Sequence, residues 1–301
     1  MADVQAHTAR LIALFVSCVL YGILLTTFVP CLRSLLFSAS RKFQVKSRHE
    51  IKFPILGATV LMFLVSTFSA VLSMQDVIDA FITYNGPGGA LEFYGAAHTV
   101  NVGWMHWMPA VDDTIQVILG DGLLIYRCYV LYDRNLRAIA APAVTWIGLV
   151  AMSITSSVRE ATLKGGESLN DPSVLPFLSA TLLLTFLTSI ITTYLIIHRL
   201  LTVEFRPAIR GPIRPHILTQ IATIFFETGL IYTLSVIASL GVYLARSNLE
   251  YVATLAMIHI IPITCNLLLI RVGGVSVEPP VKTTEVNSSE GKFNPKAADE
   301  V

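Results

Sequence analysis

WMHWMPAVDDTIQVILGDGLLIYRCYVLYDRN, residues Trp104–Asn135, is the stretch that decides how the rest of the chain is read. Its apolar residues are numerous enough to cross a bilayer core, which takes ~20 residues of helix. Yet it carries Asp112, Asp113, Asp121 and Arg127, where a plain membrane anchor has no charge. A charged side chain at the bilayer centre costs about 2.5–3.5 kcal/mol on insertion scales. A span that keeps several of them must turn them toward protein or water, so this helix needs neighbours.

The rest of the chain supplies them. Seven segments are long and apolar enough to span: Leu11–Leu32, Phe53–Met74, Trp104–Tyr126, Ala138–Val158, Val174–Ile197, Ile217–Leu244 and Tyr251–Ile270. Each backbone N–H and C=O in lipid needs a partner inside the protein, and the runs are too long for barrel strands. The fold expected is all-α, a polytopic seven-transmembrane-helix bundle over residues 11–271. Residues 1–10 form a short outer tail and residues 272–301 a disordered cytoplasmic tail, poor in apolar side chains. Pro30, Pro109, Pro142, Pro176 and Pro262 fall inside or at the ends of spans and read as kinks or starts.

The totals agree. The 301 residues are 54% apolar and 14% charged, with a mean hydropathy of +0.67. A water-soluble surface of this size needs more charge. The formal net charge of +1 gives no global basic field for nucleic acid. Cys18, Cys31, Cys128 and Cys265 lie in or beside apolar runs, form no CxxC pair and have no metal-type spacing.

Charge sets the orientation. All but four of the 21 Lys and Arg fall on one side: the loop after span one, the end of span three, the loop after span five, and the tail. Arg10, Arg159, Lys164 and Arg246 are the exceptions. Basic residues favour the cytoplasm, so the amino terminus is expected outside and the carboxy terminus inside. The first inner loop, Arg33–Lys52, is basic enough to lie against anionic headgroups. The inner loops together would also suit a cytoplasmic protein partner.

The outer loop Gln75–Gly103 has no Lys or Arg. Val77, Ile78, Phe81 and Ile82 have the spacing of a short helix along the membrane surface, and Asn85–Gly89 must turn. Trp104 and Trp107 close the loop as headgroup-level anchors, and with Asp112, Asp113 and Gln116 they mark an outer-mouth site. His98 and His106 nearby make a weak metal signal. The fourth span is nearly featureless.

Asp113, Gln116, Gly120 and Arg127 fall within an arc of about 60° at 100° per residue, with Asp121 beside it. The sixth span contains Glu227, and the seventh contains His259 and Asn266. Comparing depths suggests one layer of Asp121, Arg127, Glu227, His259 and Asn266 between spans three, six and seven. Arg127 is expected to bridge Asp121 or Glu227. Such a layer acts either as an interhelical lock or as a switch.

No GxSxG, HExxH, P-loop or dinucleotide fingerprint occurs, so no enzyme activity and no cofactor are expected. The seventh span has no lysine for a retinal Schiff base.

Seven spans with the amino terminus outside resemble G-protein-coupled receptors in topology, and Asp133-Arg134-Asn135 loosely resembles their acidic-Arg-Tyr triplet. The seventh span carries Ile261-Pro262-Ile263-Thr264-Cys265-Asn266 in place of their Asn-Pro-x-x-Tyr pattern. A closer resemblance is to a large group of uncharacterised multi-pass membrane proteins of basidiomycete fungi. It rests on Asp121-Gly122-Leu123-Leu124-Ile125-Tyr126-Arg127-Cys128-Tyr129, then Glu227-Thr228-Gly229-Leu230-Ile231-Tyr232-Thr233, then Ile261-Pro262 through Ile270-Arg271-Val272. That resemblance implies seven helices and a plasma-membrane or endomembrane location, and it brings no assigned activity. The function expected is receptor-like, in the plasma membrane, signalling through the cytoplasmic loops. A small transporter or lipid/ion translocator using the buried carboxylates, or a structural membrane protein, are the alternatives.

Overall fold

The computed structural model describes residues 5–37, 53–94, 103–162, 174–205 and 215–275. Its elements are helices: α1 (Ala6–Leu36), α2 (Phe53–Ile78), α3 (Gly89–Phe93), α4 (Gly103–Leu131), α5 (Ala140–Thr162), α6 (Leu175–Phe205), α7 (Pro215–Leu244) and α8 (Glu250–Val275). All but the five-residue α3 are long and apolar enough to cross a membrane, which makes seven.

Neighbours in the chain pack together: α1 on α2, α4 on α5, α5 on α6, α6 on α7 and α7 on α8. The ring closes where α1 lies along α8. Helix α4, which holds the charged stretch, also touches α2, α6 and α8. It is the central helix, as its charges require.

The packing is inside-out by the standard of a water-soluble protein. Phe15, Ile82, Val144, Ile147 and Leu234 stand outward, each more than 60% exposed. Ser17, Ser66, Ser69, Thr185, Thr188, Ser189 and Thr192 are buried. Lipid tails are as apolar as leucine, so helices in a bilayer associate through close packing and polar bonds. Helix α1 shows the pattern: Ala9, Ala13 and Ser17 are buried four residues apart, small enough to let α8 approach. At Gly120 of α4 a β-carbon would stand 2.6 Å from the Ile261 Cγ2 of α8.

The ends of the elements depart from the sequence reading in informative ways. Helix α1 starts at Ala6, so Arg10 belongs to the first helix and not to an outer tail. Helix α2 runs on through a π-helical turn, Asp79–Thr83. Val77, Ile78, Phe81 and Ile82 thus extend the second span instead of forming a separate surface helix. Asn85–Gly89 turns as expected, with Gly89 in the left-handed region at φ +56°. Helix α5 begins at Ala140, because Leu136–Ile139 form a turn. Helix α8 continues to Val275, past the expected start of the tail. The tail from residue 276, the side chains of Trp104 and His106, residue His98, and most of the inner loops lie outside the described residues.

Candidate functional site

At the end of the bundle where α1 begins, a cavity of about 940 Å³, mouth included, is lined from all seven long helices. We call this the amino-terminal end. Its walls mix apolar groups (Leu72, Val77, Val117, Leu178, Leu255) with hydroxyls (Ser73, Thr114, Ser153, Ser156, Thr181, Thr254) and four charged side chains: Arg10, Asp76, Asp113 and Glu160. The part of it open to the centre of a water molecule is about 70 Å³, several times the roughly 10–15 Å³ that one water needs.

Arg10 forms one wall. Its Nη1 donates to Asp76 Oδ2 at 3.1 Å, with both side chains largely buried. Its guanidinium lies 4.1 Å from the Tyr251 ring centre and 4.9 Å from that of Tyr94. Tyr94 donates its hydroxyl to the same Asp76 oxygen at 3.0 Å. Burial and the Asp76 carboxylate push the Tyr94 phenol above its ordinary value, so it remains a donor. One cation thus ties α1, α2, the end of α3 and α8 together.

The facing wall comes from α4 and α5. Ser157 and Thr114 share a hydrogen bond of 2.8 Å, and Ser157 donates to the Ala110 carbonyl at 3.3 Å. Glu160 is 6% exposed and lines the cavity beside Asp113. Among the described residues neither has a cationic partner, and Glu160 has no hydrogen bond. Asp113 Oδ1 and Asp112 Oδ2 are buried without a partner. Tyr243 Oη and Thr254 Oγ1 meet at 2.7 Å and join α7 to α8.

Further along, single polar bonds pin pairs of helices. Gln116 Nε2 donates to the Met62 carbonyl at 2.8 Å and to Ser66 Oγ at 2.9 Å, linking α4 to α2. Ser66 in turn donates to the Ile258 carbonyl of α8 at 3.2 Å. His259 Nε2 and Ser17 Oγ lie 2.7 Å apart, between α8 and α1. Tyr232 donates to Asp121 Oδ1 at 3.1 Å, between α7 and α4. Next to Tyr232, a smaller cavity, with about 30 Å³ open to the centre of a water molecule, is bounded by Gly120, Thr193, Thr228, Gly229, Thr264 and Cys265.

The residues expected to form one polar layer are therefore divided. Asp121 bonds Tyr232, and His259 bonds Ser17. Glu227 pairs with Arg271 on the outer surface, where both side chains are about half exposed. Among the described residues no ion pair joins Arg127 to Asp121 or to Glu227. Arg127 sits instead near the thiols of Cys265 and Cys31, with Nη2 unpartnered, as is Asn266 Nδ2. The reason is angular. Glu227 and Tyr232 are five residues apart, about 140° around the helix, and α7 turns Tyr232 inward. Similar depth did not mean the same face.

Of the residues assigned to an outer-mouth site, Asp113 lines the cavity, Gln116 is buried below it as a strut, and Asp112 is buried outside its wall. Trp107 is partly buried and not part of the lining. The sequence reading did not single out Arg10, Asp76, Glu160, Tyr232, Tyr243 or Tyr251. One signal was there: Ser153, Ser156, Ser157 and Glu160 recur at three- and four-residue spacing, a polar stripe on a span read as featureless. Compared with family models, with curated proteins and with solved structures, the chain matches none.

Proposed function

We propose that this protein is a receptor-like membrane protein that takes a small ligand into the cavity at its amino-terminal end. The observation that carries this reading is the cavity itself: all seven long helices contribute to it, so an occupant touches every moving part of the bundle. A ligand that favours one arrangement of those helices shifts the population toward it. Tyr232–Asp121 links α7 to α4 further along and gives that shift a route toward the opposite end. In this reading the cavity opens outside the cell and the basic loops meet a protein partner in the cytoplasm, at the plasma membrane. The charge distribution supports that orientation.

A translocator is the second reading. What favours it is the smaller cavity beyond Tyr232, which places two cavities one after the other along α4. One-sided access separates the two readings. Ser156 lines the main cavity. A Ser156→Cys variant in proteoliposomes is treated with a membrane-impermeant thiol reagent from each side, with the unsubstituted protein as blank. Labelling only from the amino-terminal side is the expected result. Labelling from both sides sinks the receptor reading in favour of alternating access.

A further inference from the structure

We infer that the ligand of the amino-terminal cavity is an organic ammonium ion carrying an apolar body, held by Asp113 and Glu160; this rests on the cavity being a ligand site. The first step is a charge count. Among the described residues four charged side chains line the cavity, and the one cation of these, Arg10, is committed to Asp76. Asp76 neutralises it at 3.1 Å, and the Tyr94 and Tyr251 rings occupy its faces. That leaves two carboxyls, Asp113 and Glu160, outside any ion pair among the described residues.

The second step is burial. Glu160 is 6% exposed and, among the described residues, has neither a hydrogen bond nor an ion pair. A carboxyl so placed keeps its proton unless a cation compensates the ionised form. Asp113 is half-buried, with Oδ1 buried and unpartnered. The two carboxylates come from adjacent helices, α4 and α5, and line one cavity. A ligand cation between them supplies the missing partner. An anion or a neutral molecule would leave both carboxyls protonated, whereas a cation draws them into the ionised form and gains from both.

The third step concerns what kind of cation. The space open to the centre of a water molecule, about 70 Å³, is larger than a bare metal ion needs. Its remaining walls include aliphatic side chains and the tyrosines Tyr243 and Tyr251. Hydroxyls such as Ser156 and Thr181 can accept the remaining ammonium N–H groups. These walls suit a cationic head on an apolar frame.

The test uses the full chain in lipid nanodiscs and matched probes that differ only in head group. These are phenethylammonium, phenylethanol and phenylpropanoate, with sodium and calcium chloride as inorganic controls. Binding is read by calorimetry and by thermal stabilisation. The ammonium probe is expected to bind at least about tenfold more tightly than the alcohol, with the carboxylate weakest. Glu160→Gln and Asp113→Asn are each expected to weaken the ammonium by about tenfold or more and leave the alcohol nearly unchanged. Glu227→Gln, on the outer surface, should leave all three unchanged. Equal binding of ammonium and alcohol overturns the charge inference while leaving the cavity as a ligand site. Saturation by the inorganic cations alone overturns the organic ligand. No binding by any probe overturns the cavity reading and the inference with it. If the carboxylate variants fail to fold, the ranking of probes on the unsubstituted protein decides.

Discussion

Removing one atom, the Tyr232 hydroxyl, tests the central strut of the bundle. Tyr232 is 5% exposed and Asp121 is fully buried. Among the described residues their 3.1 Å bond is the one hydrogen bond to the Asp121 carboxylate, whose other oxygen has no partner. Tyr232→Phe keeps the ring, and so nearly all the packing, but leaves both carboxylate oxygens unsatisfied. Stranding a buried acceptor costs about 1–3 kcal/mol in soluble proteins. Interhelical bonds in membranes measure lower, averaging about 0.6 and reaching about 1.7 kcal/mol, because the unfolded chain in lipid also finds partners. For this site, buried on both sides, the expected loss is about 1.5 kcal/mol. The assay is reversible unfolding in mixed micelles, run as a double-mutant cycle with Asp121→Ala. The coupling between the two positions should be about 1 kcal/mol, which isolates the bond from the packing lost at each site. A coupling within about 0.3 kcal/mol of zero, the usual scatter for independent sites, refutes the claim that this pair ties α4 to α7.

Three further outcomes follow from other contacts. Gly120→Ala would place its β-carbon 2.6 Å from Ile261 Cγ2, so it should destabilise by about 1–3 kcal/mol, the range for overpacking; Ile261→Ala should recover part of that in the same unfolding assay. Arg10→Gln leaves Asp76 without its cation and removes the stack on Tyr94 and Tyr251; a loss of about 3 kcal/mol is expected, as for breaking a buried pair. Arg10→Lys should recover less than half of that loss, since an ammonium lacks the planar face that stacks on both rings. Arg127→Met should leave stability unchanged or raise it by about 1 kcal/mol, because a half-buried cation whose Nη2 is unpartnered, with no carboxylate pair among the described residues, is being replaced by a flexible apolar chain; thermal unfolding in nanodiscs checks the sign.

The sequence revealed the helices more readily than their faces, and the reasons are physical. A span is a local property: twenty apolar residues in a row are needed wherever the helix goes. The seven helices could therefore be found one by one. The relation between helices depends on rotation, which the sixth span hid. That span is apolar nearly all round, so Glu227, its lone charge, seemed to mark the inward face. Helix α7 instead buries Thr228, Tyr232, Val236, Ser239 and Tyr243, a stripe of mixed polarity with the usual helical spacing. Glu227 lies off that stripe and pairs with Arg271. Arg10 was hidden for a different reason. In the sequence it is one of few basic residues on its side and counts only toward topology. In the fold, Tyr94 and Tyr251, far away in the chain, close around it.

The division of the expected polar layer also changes what the polar groups do. A single connected cluster would make one all-or-none lock. Here each bond joins a different pair: Ser17–His259 joins α1 to α8, Gln116–Ser66 joins α4 to α2, and Tyr232–Asp121 joins α4 to α7. In lipid each such bond is worth about a kilocalorie or less, so any one can open without unfolding the bundle. Helix α4 carries two of the three and also contributes Asp113 to the cavity. From Asp113 to Asp121 is eight residues, about 12 Å along the helix. A ligand that draws Asp113 and Glu160 together acts on α4 directly, and α4 is the helix whose displacement strains both remaining struts. The charged stretch that made this helix improbable as a membrane anchor also makes it the element through which the cavity can be coupled to the rest of the bundle.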